Sequence, residues 1–260
     1  MKKIYIHTDM EGISGIGKGE MVPNDSADYR YCVERLMADA NAAVDGAFLG
    51  GADRVTVLDS HGGGRNFDLS LLDKRAEFDT KPNNKWWGIL DETYWGSFFI
   101  GAHAMAGTIN GFLDHTQCSQ TVHNFYINGR KVGELGQWAM VCANFNVPML
   151  MVSGDLAAIN EAAQFFSGVE TAVVKTGTSR MTARLLPNCE AEEAIRQAAK
   201  RAVEKEERPG LFKPLTPMEL KIDYTRSDYC DTAALNPHNE RLDARTARKI
   251  TESYLDFWLW

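Results

Sequence analysis

Metal-binding side chains stand just beyond three short apolar segments. Ile4-Tyr5-Ile6 runs towards Asp9-Met10-Glu11. Val55 to Leu58 runs into Asp59-Ser60-His61, and Gly101-Ala102 precedes His103. In an extended segment alternate side chains point the same way, so Asp9 and Glu11 can face one site. Ligands of open α/β sheets bind beyond the carboxyl ends of the strands. Three such ends carrying carboxylate and imidazole imply a convergent metal site. Each residue alone has a plainer account: an Asp after a strand forms a turn or cap, and a lone His is a hydrogen-bonding partner. Glu134 opens a predicted helix, where the dipole favours a carboxylate. Those accounts do not explain why all of them fall at strand ends. His115, in Leu113-Asp114-His115-Thr116, follows His103 past a Gly-containing turn and can return a second imidazole to the same edge. His7, His123 and His238 lack such a setting. Gly62-Gly63-Gly64 lacks the Lys-Ser/Thr ending of a phosphate loop.

The elements that must position these residues follow from periodicity. Strands are predicted at Lys3 to Thr8, Arg54 to Asp59, Ser97 to Gly101, Pro148 to Ser153 and Val169 to Lys175. Val33, Leu36, Met37, Ala40, Val44 and Ala47 lie on one helical face, ended by Gly50-Gly51. Further helices are predicted at Gly133 to Phe145, Leu156 to Phe166 and Ala191 to Glu207. Asn128-Gly129 marks a hairpin within Val122 to Val132. Strand, helix, strand reads as a parallel βαβ unit. The fold class is α/β, a mostly parallel sheet flanked by helices. Pro209-Gly210, Pro214 and Pro217 suggest a boundary: a metallohydrolase domain over 1–208 and a smaller C-terminal subdomain over 209–260. The latter is expected to hold a strand at Leu220 to Tyr224 and a closing helix ending at Trp260.

The formal net charge of -7 argues against nucleic acid, because phosphate binding needs a concentrated basic surface. No apolar stretch approaches the roughly 18 residues that span a membrane. Met1-Lys2-Lys3 is not followed by the apolar core of a signal peptide. Cys32, Cys118, Cys142, Cys189 and Cys230 are scattered and odd in number, which points to reduced thiols in a cytoplasmic protein.

Five segments, in order, carry a family resemblance: Asp9-Met10-Glu11-Gly12-Ile13-Ser14-Gly15, Asp59-Ser60-His61-Gly62, His103-Ala104-Met105-Ala106-Gly107-Thr108, Leu113-Asp114-His115-Thr116, and Asn128-Gly129 with Gly133-Glu134. Together they resemble the zinc-dependent D-aminopeptidases associated with bacterial dipeptide-transport operons. The resemblance runs to about Arg184, including Thr178-Ser179-Arg180, and is weak in the tail. It implies two zinc ions per chain held by Asp9, Glu11, His61, His103 and Glu134, with His115 as the catalytic residue. It also implies a small peptide substrate and a ring-like homo-oligomer, most simply a decamer. The tail Tyr254-Leu255-Asp256-Phe257-Trp258-Leu259-Trp260 packs either on its own domain or in a subunit interface. One departure is that Gly154-Asp155 is followed by Leu156 where the family often has a second acid, so Asp155 is assigned no role.

Three carboxylates and two imidazoles exceed what one tetrahedral zinc uses. They suit two metals with a bridging carboxylate, and Asp9, nearest its strand end, is the expected bridge. Nitrogen and oxygen donors without thiolate fit zinc, with manganese and cobalt also compatible. A metal-bound water has a pKa near 7, and His115 can supply the leaving amine with a proton. Two alternatives use the same residues: a metal-dependent amidase or phosphoester hydrolase, and a non-catalytic peptide-binding accessory of a transporter. Only Arg65 near a motif speaks for phosphate, and His115 speaks against a non-catalytic role.

Overall fold

The computed structural model describes residues 1–82 and 85–256. The chain runs β1 (Lys3–Thr8), α1 (Tyr29–Leu49), β2 (Arg54–Asp59), β3 (Glu77–Asp79), β4 (Gly96–Ala102), β5 (Val122–Ile127), β6 (Arg130–Lys131) and α2 (Glu134–Asn144). It continues through β7 (Met149–Asp155), α3 (Leu156–Phe165), β8 (Glu170–Ser179), β9 (Thr182–Leu185) and α4 (Asn188–Glu204). It closes with β10 (Met218–Tyr224), α5 (Ser227–Ala233), β11 (Glu240–Arg241) and β12 (Thr246–Thr251).

The first sheet has the order β3-β2-β1-β4-β7-β8-β9. All its pairs are parallel except β8 with β9. β1 lies between β2 and β4, and its register sets Thr8 level with Asp59 and with Ile100. The chain therefore leaves all three strands at one edge. Each strand alternates its side chains between two faces. Ile4, Ile6, Val55, Val57, Phe98 and Ile100 face one core with α1 and α4, whereas Tyr5 and Phe99 face another with Trp138 of α2. Burial of each large apolar side chain contributes roughly 1.5–3 kcal/mol, so both faces hold the strand ends in place.

The second sheet is antiparallel, with the order β11-β12-β10-β5-β6. The hairpin at Asn128-Gly129 is as expected, but it extends into this sheet because β10 pairs with β5. Residues on both sides of Pro209 thus share one sheet. In place of a closing helix, the described tail forms β12, paired with β10. Thr246, Ile250 and Thr251 are β-branched and suit a pleated strand. Residues 257–260, where that helix was to end, lie outside the described residues. No helix among the described residues is long and apolar enough to cross a membrane.

Candidate metal centre

Asp9 and Glu11 reach one point by a turn. β1 ends at Thr8, and the chain then bends, with Asp9 N donating to Ile100 O and Gly12 N to Gly101 O, both at 2.8 Å. The expectation of an extended Asp-Met-Glu segment is corrected here, while the convergence of the two carboxylates holds. Close passage of two backbones is the cause. A Cβ on Gly101, at φ +81°, would lie 2.1 Å from Asp9 O, and one on Gly12 would lie 2.0 Å from Ala102 O. Only glycine fits such an approach.

Two groups of donors result. Asp9, Glu11 and His61 each offer an atom within 4.8 Å of the others, and so do His103, His115 and Glu134. His61 Nδ1 stands 3.0 Å from Asp9 Oδ1 and 2.9 Å from Glu11 Oε2. His103 Nε2 stands 3.2 Å from Asp9 Oδ2 and 3.5 Å from Glu134 Oε1. Asp9 thus turns one oxygen to each group. The rings of His103 and His115 stack at 4.0 Å, 9° from parallel, and His115 Nε2 is 3.7 Å from Glu134 Oε1. Nδ1 of His103 donates to Ala104 O and Nδ1 of His115 to Leu113 O. A carbonyl can only accept, so both rings keep Nε2 free towards the site. All six residues singled out by the sequence come together. His115 joins the second donor group. His7 lines the adjoining cavity, its ring packed on Phe99 and Trp138. His123 lies farther along the same surface, beside Arg180 and Thr225.

The electrostatics are those of a cation site. Burial raises the cost of ionising Asp9, but the imidazoles of His103 and His61 beside it outweigh that cost and hold the carboxyl well below the usual range. Burial alone would lower His103 and His61. The surrounding carboxylates instead hold His103 well above its ordinary value and push His61 up to about 11. Glu11 Oε2 and His103 Nε2 are buried without a hydrogen-bond partner among the described residues, their close contacts lacking hydrogen-bond geometry. Unsatisfied buried donors and acceptors are costly. A cation bound by both groups would remove that cost, so the donor set fits nitrogen- and oxygen-ligated zinc.

Buried charged groups tie down the loops that carry these donors. Lys175 Nζ on β8 donates to Glu11 O at 2.6 Å and Ile16 O at 2.9 Å. Burial pulls its pKa down to about 7. Asp155 accepts from Phe112 N and Ala158 N, both at 2.8 Å, fixing the loop before His115. Glu161 accepts from Met105 N at 2.7 Å, two positions after His103. Asp59 accepts from Asn66 and Phe67 and closes the loop of His61. Sequence reasoning gave no role to Asp155 and passed over Lys175 and Glu161. Charged residues within otherwise apolar strand and helix segments were the available signal.

Two open cavities meet at the donors. One, of about 780 Å³, runs from Glu11, His61 and His115 towards Arg65 and Arg180. The other, of about 590 Å³, contacts Asp9, Glu11, His61 and Glu134 and is walled by Trp86 and Trp138.

An α/β sheet whose strand ends present paired carboxylates and imidazoles defines a metallohydrolase. Comparison makes the class specific. A family model described as D-aminopeptidase matches residues 1–260. A D-aminopeptidase of Bacillus subtilis (strain 168) is 34% identical over 263 aligned residues, covering 97% of this chain and 94% of the relative. The solved structure of the Zn-dependent D-aminopeptidase DppA from Bacillus subtilis, described as a self-compartmentalizing protease, superposes with a TM-score of 0.92 at 31% identity, over 98% of this chain and 93% of that one. The chain belongs to the D-aminopeptidase family. It is an aminopeptidase, a hydrolase of peptide bonds.

Proposed function

We propose that the protein is a dinuclear zinc aminopeptidase that removes N-terminal D-residues from short peptides. The observation that carries the reading is the paired donor set, with Asp9 Oδ1 turned to His61 and Asp9 Oδ2 to His103. Asp9, Glu11 and His61 form one half of the centre. His103 and Glu134 form the other, with Asp9 common to both. Zinc in such a centre supplies a nucleophile at neutral pH and polarises the scissile carbonyl. The protein's own part is orientation and proton transfer. Asp9 keeps the two halves in register. His115, with Nδ1 tied to Leu113 O, has Nε2 free to take the proton that the attacking water loses and pass it to the leaving amine.

The relatives' names support zinc and D-residues, and the self-compartmentalizing relative supports a homo-oligomer, for which we propose a decamer. Five unpaired cysteines support a cytoplasmic setting. The test joins elemental analysis to rates on D- and L-alanyl p-nitroanilides. Two zinc ions per chain and faster D-alanyl release are expected. One zinc after reconstitution, or an L-preference, would overturn the reading. Light scattering coupled to size exclusion tests the assembly, and a monomer would overturn it.

A further inference from the structure

The two cavities that meet at the donors differ in charge. The Trp-walled one contacts three of the site carboxylates, Asp9, Glu11 and Glu134, with Lys81 as its cation. The other contacts only Glu11 among them and carries Arg65 and Arg180. A short peptide has the same polarity: an amine with a pKa of about 7.7–8.0 at one end and a carboxylate of about 3.3–3.7 at the other. With the site carboxylates engaged by metal, the arginines are what sorts the two ends: they draw the carboxylate and leave the amine on the Trp-walled side. The scissile bond then lies between them, at the donors.

Arg180 is set for this use. It sits in the turn between β8 and β9, and its Nε is held by Asp114, 3.3 Å from the carbonyl and 3.6 Å from the carboxylate. Asp114 is in turn fixed by Gly107 N at 2.6 Å. Among the described residues Arg180 Nη1 donates a hydrogen bond only to Met181 Sδ, and Nη2 has no hydrogen-bond partner. Asp114 immediately precedes His115, so the guanidinium is anchored to the loop that carries the proton donor. Arg65, exposed in the loop after His61, forms no ion pair or hydrogen bond among the described residues. Its charge is uncompensated in a protein of net charge -7.

We propose that Arg180, with Arg65 in the same cavity, receives the free C-terminal carboxylate of the substrate, making the enzyme selective for short peptides with an unblocked C-terminus. This rests on the aminopeptidase reading and adds which end of the peptide is read, and by what.

The test compares D-alanyl-glycine with D-alanyl-glycinamide, which share the scissile bond and differ only in the terminal charge. A charge-assisted contact predicts that wild type favours the acid in kcat/KM by about 10- to 100-fold, mainly through KM. Arg180→Ala brings that ratio to within about threefold of one, and Arg65→Ala lowers it part of the way. The ratio is internal to each preparation and so independent of the folded fraction. A wild-type ratio near one, or an Arg180→Ala ratio equal to that of wild type, overturns the assignment while leaving the aminopeptidase reading in place. Failure to cleave either substrate overturns both.

Discussion

Lys175 Nζ donates to the main-chain carbonyl of Glu11 at 2.6 Å, across 164 positions of sequence. The same ammonium reaches Ile16 O at 2.9 Å and lies 4.4 Å from the centre of the Phe112 ring. One buried cation thus ties the turn after β1 to the loop that leads to His115.

Lys175→Met keeps the volume and removes the donor. Two buried carbonyls then lose their partner, each costing about 1–3 kcal/mol, offset in part by relief from burying a charge. We expect lower thermal stability and zinc affinity weakened by about 10- to 100-fold, measured by competition with a chromogenic chelator. Unchanged affinity would show that the turn holds its shape without Lys175.

His115 stacks on His103 and stands 3.7 Å from Glu134, which is compatible with proton transfer and with ligation. Zinc content separates them. We expect His115→Ala to retain both ions and lose about 10²- to 10⁴-fold in turnover. Loss of one ion with the imidazole would make His115 a ligand instead.

Burial pushes Glu161 from its ordinary 4.5 up to about 7. The folded protein therefore holds this proton at pH values where the unfolded chain has released it. The stability this contributes is fully present below pH 4.5 and is lost as pH rises through 7. Glu161→Gln is neutral at every pH. In chelator-treated protein, its melting temperature relative to wild type should rise between pH 5 and pH 8, by an amount equivalent to at most about 3 kcal/mol. A flat difference would mean that the proton is not linked to folding.

Much of the site was legible because strand ends were. Asp9, His61 and His103 follow β1, β2 and β4, whose apolar runs mark them. The parallel register then brings the three together without further information. Glu134 and His115 were harder, since the path between β4 and α2 passes through loops and a hairpin whose placement depends on tertiary packing. Lys175, Asp155 and Glu161 offered only a charge within an otherwise apolar segment, which does not say what the charge is for. A lysine in β8 reads as an exposed position until its strand is known to be covered on both faces. The second sheet was hidden for the same reason. β10 meets β5 from far along the sequence, Leu220 opposite Ile127, and β12 joins only through β10; cross-strand partners at that separation leave no periodic trace.

The donors come from both sheets. Asp9, Glu11, His61 and His103 follow strands of the first, and Glu134 follows the β5–β6 hairpin of the second. A cation gripped by Asp9 and Glu134 is therefore also a fastener between two separately hydrogen-bonded layers. Loading then belongs to the folding cooperativity of the chain as much as to its chemistry. The hairpin amides should exchange hydrogen by local opening in the stripped protein, and only by global unfolding once the centre is filled.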